Sequence, residues 1–109
     1  MKTLYIAGPM TGHPELNYPA FNEAADQLRR AGYQVLNPAE HEKPCENPEW
    51  EDWMKEALGA VLRADAIATL PRWTGSRGAI VELAVAGALG KPHGPIGYWI
   101  KRAQQIGAN

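Results

Sequence analysis

Short β-rich segments that each end at a proline constrain this chain more than any other feature. Lys2 to Ala7 (KTLYIA) runs into Gly8-Pro9, Tyr33 to Leu36 (YQVL) into Asn37-Pro38, and Ala64 to Leu70 (ADAIATL) into Pro71. Proline cannot donate to a β ladder, so each break marks a strand end. Helical stripes lie between them. Ala20 to Ala31 sets Phe21, Ala24, Ala25 and Leu28 on one face and stops at Gly32. Glu49 to Arg63 sets Trp50, Trp53, Met54, Ala57, Leu58, Val61 and Leu62 inward. Ser76 to Leu89 is a third helix, stopped at Gly90. Both periods are those expected of amphipathic elements.

Strand and helix alternate three times, which predicts an α/β fold: a small parallel sheet of three to five strands with helices on both faces. Such sheets bind ligands beyond the carboxyl ends of their strands. Three segments are therefore expected to converge, Gly8 to Gly12, Asn37 to His41 and Arg72 to Gly78. The tail is harder to read. His93 to Trp99 (HGPIGYW) is a poor strand, with two Gly and a Pro, and Ile100 to Ile106 fits a short amphipathic helix.

The chain has 109 residues, the size of one domain, here read as spanning 1–109. Its net charge of −1 includes no basic block to follow a phosphate backbone, so no nucleic-acid partner is expected. Gly8-Pro9 interrupts the first apolar run too early for a signal peptide or a membrane span. Cys45, the single cysteine, suits a reducing compartment, and a cytoplasmic location is expected. His13 and His93 have no partners at metal spacing and Cys45 is isolated, so neither a metal nor a cofactor is expected.

Glu82 is the one carboxylate in the apolar run of the third helix, just after Gly75-Ser76-Arg77-Gly78. A helical side chain leans over the residues three and four earlier, here Ala79 and Gly78, and neither has the bulk to cover it. The helix start supplies free amides and partial positive charge, expected to keep the carboxylate ionised but accessible. Such a group can act as nucleophile or base. Ser76, Arg77 and the loop amides offer donors to an anion such as a phosphate. The alternative is a solvated face residue, but Val81, Leu83, Val85 and Ala86 leave little solvent face, and the helix is expected to be buried nearly all round.

Other residues carry two readings each. Asp52 is either a proton donor near the sheet's carboxyl edge or a charge complementing the start of its helix. Trp73 either stacks on a base or lids the third helix. Trp50 and Trp53 are core or subunit interface. His41 faces the site or is solvated. Asp65 lies at the amino end of its strand, the wrong edge for the site, and is structural; Lys91 is charge at a helix end.

Taken together, Tyr5-Ile6-Ala7-Gly8-Pro9-Met10-Thr11-Gly12, Tyr18-Pro19-Ala20-Phe21-Asn22, Asn37-Pro38-Ala39-Glu40, and Leu70-Pro71 through Ser76-Arg77-Gly78-Ala79 to Glu82 resemble the DUF4406 family. Its members are small, often phage-encoded proteins related to nucleoside 2-deoxyribosyltransferases and to 2′-deoxynucleoside 5′-monophosphate N-glycosidases. The resemblance covers about Lys2 to Pro92. It implies a Rossmann-like three-layer sandwich and cleavage or exchange of an N-glycosidic bond. The substrate would be a small nucleoside or nucleoside 5′-monophosphate, handled by a homo-oligomer. Glu82 takes the nucleophile's role, Ser76 that of a phosphate ligand, and Tyr5 lies near the sugar. Gly8, Pro9 and Met10 line the site, with Asn37, Trp73, Arg77 and Gly78 as further substrate contacts. The first-loop Arg of the glycosidases is replaced here by Thr11-Gly12-His13, and the relatives' helix Asp aligns near Ala57, with Asp52 and Glu56 as nearby substitutes. The rival to catalysis is a nucleotide-binding module, a sensor or sponge using the same pocket without turnover.

Overall fold

The structure is a computed structural model and describes residues 2–107. Four parallel strands form one sheet: β1 (Thr3–Ala7), β2 (Gln34–Leu36), β3 (Ala66–Thr69) and β4 (His93–Pro95), in the order β2-β1-β3-β4. Four helices connect and cover them: α1 (Tyr18–Arg30), α2 (Trp50–Arg63), α3 (Arg77–Ala88) and α4 (Ile96–Gly107). Strand β1 is central and pairs on both sides, Tyr5 with Leu36 of β2 and with Ile67 of β3.

Alternation along β1 divides the core into two layers. Leu4 and Ile6 face α1 and α4, where Phe21, Ala24, Ala25, Leu28 and Trp99 are buried. Tyr5 and Ala7 face α2 and α3, where Ala60, Val61, Ala79, Leu83 and Ala86 are buried. The stripe read from the sequence of α1 is the face that packs. Asp65 is structural as expected: its Oδ2 accepts from the Thr3 amide at 2.8 Å, pinning the amino end of β1 to that of β3.

The tail departs from its reading. HGP, poor in strand formers, extends the sheet as β4, with Gly94 opposite Ala68 of β3. Trp99 explains why. It is buried, and its Nε1 donates to the carbonyls of both Ile67 and Gly94 at 3.1 Å, tying α4 to β3 and β4. The pairing is imposed by this tertiary anchor and not by local propensity. The final helix accordingly starts at Ile96, earlier than the expected Ile100.

Two helices are less buried than expected. On α2, Met54, Ala57, Ala60 and Val61 are inward, but Trp50, Trp53 and Leu62 are exposed. On α3, Ala79, Glu82, Leu83 and Ala86 are buried, while Ile80, Ala84, Gly87 and Ala88 are exposed. The sheet reaches only one face of α3, so its other face, though apolar, stays open. Among the described residues, no helix is long and apolar enough to cross a membrane.

Candidate active site

The chain leaves β1 for β2 on one side and later returns to place β3 on the other, so the carboxyl end of β1 is where strand order reverses. Doubly wound sheets leave a crevice at this point. Here it is a cavity of about 310 Å³. All three expected segments reach it: Gly8, Met10 and Thr11 after β1, Pro38 and His41 after β2, and Ser76 and Gly78 after β3. Helix α2 closes one side with Trp50, Trp53, Met54 and Ala57, and α1 contributes Tyr18 and Phe21. The walls are mostly apolar, as in small-molecule sites generally.

Glu82 lines this cavity, and only 7% of its surface is exposed. Its Oε2 accepts a 2.6 Å hydrogen bond from the Tyr5 hydroxyl. Burial raises its pKa to about 7, against the smaller lowering by the Tyr5 bond. The expectation of a carboxylate held firmly ionised is therefore corrected. Glu82 lies beyond the first turn of α3, past the free amides, and desolvation outweighs the dipole. Tyr5 is displaced in turn, well above the usual phenol value, first by burial and then by the Glu82 charge and hydrogen bond. At about 7, Glu82 lies in the range where a carboxylate base or nucleophile is useful at neutral pH.

Ser76 caps α3, its Oγ accepting from the Ala79 amide at 3.2 Å. That bond uses one lone pair and leaves the hydroxyl able to donate, and Ser76 lines the cavity. Gly8 allows a close approach at the opposite edge. A Cβ there would lie 2.7 Å from Leu70 Cβ, too close for any side chain without movement.

Tyr5, Gly8, Met10, Ser76, Gly78 and Glu82 are thus brought together. Pro9, Asn37, Asp52, Trp73 and Arg77 are not among the cavity's lining. Pro9 is buried, its carbonyl accepting from Asn17 Nδ2 at 2.9 Å. Asn37, also buried, accepts from the Ala39 amide and donates to Asn22 Oδ1, both at 3.0 Å; it builds the turn after β2. Asp52 completes a capping box on α2, where its Oδ2 accepts from the Glu49 amide at 2.9 Å. Its carboxylate is thus bonded at the helix start and does not line the cavity. Trp73 sits edge-on to His93, 5.9 Å between ring centroids, and packs on the α2–α3 core layer. Arg77 stacks 3.9 Å above the ring centroid of Trp50, joining the starts of α2 and α3.

Sequence reasoning missed Leu16, Tyr18, Trp50, Trp53 and Met54 as cavity residues. Leu16 is carried by Glu15, Leu16 and Asn17, consecutive residues with left-handed backbones that no glycine announces. Trp50 and Trp53 lie on the stripe assigned to the core, and periodicity alone does not tell a core face from a cavity wall. Among the described residues, no three His, Cys, Asp or Glu side chains cluster so as to hold a metal ion.

This α/β fold is related to the nucleoside 2-deoxyribosyltransferases. The structure is similar to that of a 2-deoxyribosyltransferase from the psychrotolerant bacterium Bacillus psychrosaccharolyticus, with a TM-score of 0.64 and 26% sequence identity over 84% of this chain and 69% of that one. The chain itself belongs to the DUF4406 family, described as a domain of unknown function, whose model matches residues 2–93. No curated protein matches it.

Proposed function

We propose that this protein breaks the N-glycosidic bond of a nucleoside or nucleoside 5′-monophosphate in the cytoplasm, by hydrolysis or by deoxyribosyl transfer, with Glu82 as nucleophile. The observation that carries the reading is the buried Glu82 carboxylate, hydrogen-bonded by Tyr5 inside an apolar cavity at the sheet's switch point. Likeness to a 2-deoxyribosyltransferase supports the same chemistry.

In this mechanism a Glu82 oxygen attacks C1′ as the base departs, through an oxocarbenium-like transition state, and a glycosyl-enzyme forms. Tyr5 orients the attacking carboxylate and favours its charged form. Water or a second base then takes the sugar from Glu82 with overall retention. Ser76 is the donor toward a 5′-substituent, and Gly8 and Met10 shape the sugar's surroundings. The apolar residues Leu62 near the end of α2, Ile80 in the first turn of α3 and Leu89 just beyond its end are exposed and support assembly as a homo-oligomer.

The test incubates the protein with ribo- and deoxyribonucleosides and their 5′-monophosphates, with and without a second free base, and follows base release by chromatography. Release is expected from wild type, with at least a ~1,000-fold loss in Glu82→Gln. The diversion of Asp52 into a capping box favours a second reading, a nucleotide-binding module without turnover. That reading expects a ligand-induced thermal shift and no free base from any substrate.

A further inference from the structure

We infer that His41 is the residue that protonates the departing nucleobase and recovers its proton in the second half-reaction, an inference that rests on the glycosidic reading above. A nucleobase leaves with the electron pair of the C1′–N bond, and without a proton it is a poor leaving group. The donor expected from the sequence, Asp52, is bound into the start of α2 and does not line the cavity. Among the lining side chains, those that ionise are Tyr5, Tyr18, His41 and Glu82. Glu82 is the nucleophile and Tyr5 already donates to it. Phenols as a class are far weaker acids than an imidazolium. His41 is left as the group able to give and take a proton near neutral pH.

The structure holds His41 for this role. The Asn22–Asn37 bond fixes the turn after β2, and the His41 amide donates to Pro38 O at 3.1 Å, so the residue is set at the cavity wall by its backbone. No hydrogen bond from a described residue occupies its ring, which leaves both nitrogens open to a ligand. The charges that act on it are Glu56 and Arg63 from α2 and Glu40 from its own turn. Burial draws it below the usual value, Glu56 and Glu40 oppose that, and Arg63 adds to it. Glu82 responds instead to burial and Tyr5. His41 lies in the turn after β2 and Glu82 on α3, so the two groups reach the same cavity from different elements.

Each step balances. In the first, Glu82 Oε bonds to C1′, the C1′–N pair moves onto the base, and the imidazolium N–H proton goes to the base, leaving His41 neutral. In the second, a water oxygen or an incoming base nitrogen bonds to C1′, the Glu82–C1′ pair returns to the carboxylate, and His41 takes the proton released. One residue thus serves both hydrolysis and transfer.

The test compares wild type, His41→Gln and Glu82→Gln on the best nucleoside or nucleotide from the panel and on 4-nitrophenyl 2-deoxyriboside, whose leaving group departs as a stable anion without a proton. His41→Gln is expected to lose about 100-fold or more on the natural substrate and to stay within about 3-fold of wild type on the nitrophenyl glycoside. Its pH profile on the natural substrate is expected to lose the alkaline limb and keep the acid limb set by Glu82. That profile decides the matter if wild type accepts the nitrophenyl glycoside poorly. Equal losses on both substrates, no loss on either, or an unchanged alkaline limb overturns the assignment while leaving Glu82 as nucleophile. A wild type that releases no base from any substrate overturns the glycosidic reading and this inference with it.

Discussion

The Tyr5 hydroxyl of β1 and the Glu82 carboxylate of α3 meet at 2.6 Å, although 77 positions separate them in the chain. Tyr5 reaches that point because alternation along β1 turns it toward the α2–α3 layer, and Glu82 because α3 buries this face against the same strand. Packing that stabilises the domain also removes the carboxylate from water. The reactive group and the core are therefore built by the same contacts.

Replacing Tyr5 with Phe keeps the ring and removes the bond. That bond lowers the Glu82 pKa against burial, so its loss is expected to move the carboxylate further above about 7. The ionised fraction at pH 7 falls, and base release is expected to fall roughly 3- to 10-fold there and to recover at higher pH. A pH–rate profile checks the second point. Carbon NMR titration of labelled glutamate checks the first without relying on turnover.

Glu82 also makes stability depend on pH. Its folded pKa of about 7 lies above the ordinary 4.5, so between those values the native state binds more protons than the unfolded chain. Stability is then fully present below about 4.5 and is lost as pH rises toward and through about 7. Glu82→Gln keeps an acceptor for Tyr5 and has no charge to desolvate. It is expected to exceed wild type in stability by on the order of 2–3 kcal/mol at pH 8 and to match it near pH 4.5. Urea melts of both proteins at the two pH values measure the difference.

The parallel α/β architecture was legible because the signals were local. Proline-terminated β runs and the Phe21–Leu28 stripe each needed only near neighbours in sequence. Convergence of the strand ends followed from topology. What escaped depended on distant partners. The strand character of HGP is supplied by Trp99, and the role of Trp50 and Trp53 is set by an empty space that periodicity does not register. Asp52 carries a local signal as well. Glu49-x-x-Asp52 has the spacing of a capping box, with Glu in place of the usual Ser or Thr, and the geometry confirms the reciprocal bonds.

Gly8 is expected to resist even a methyl group. Its Cβ would meet Leu70 Cβ at 2.7 Å and Cδ1 at 2.9 Å, and Leu70 is itself buried, with its amide bonded to Ala7 O at 2.9 Å. Neither strand end has room to retreat. Gly8→Ala is expected to cost about 1–3 kcal/mol in urea denaturation, the usual range for overpacking. Because Gly8 lines the cavity, affinity for any ligand should fall as well, which calorimetric titration of the folded variant would register.

Lys91 follows α3 but acts on α2. Its ammonium donates to Val61 O at 3.1 Å and Leu62 O at 2.8 Å, and also to Ala64 O, so it closes the carboxyl end of α2. Val61 O also accepts the Ala64 amide at 3.2 Å, so Lys91 adds donors to a helix end that the backbone only partly closes, and a cation there complements the helix dipole. Lys91→Met keeps most of the stem's packing and removes every one of these donors. The expected cost is roughly 1.5–3 kcal/mol, the range for hydrogen bonds to a charged group. Hydrogen exchange distinguishes this from a general loss of stability: amides in the last turn of α2 should open faster than global unfolding explains, while those of α1 should follow it. Uniform acceleration across both helices would mean that Lys91 does not act as the cap of α2.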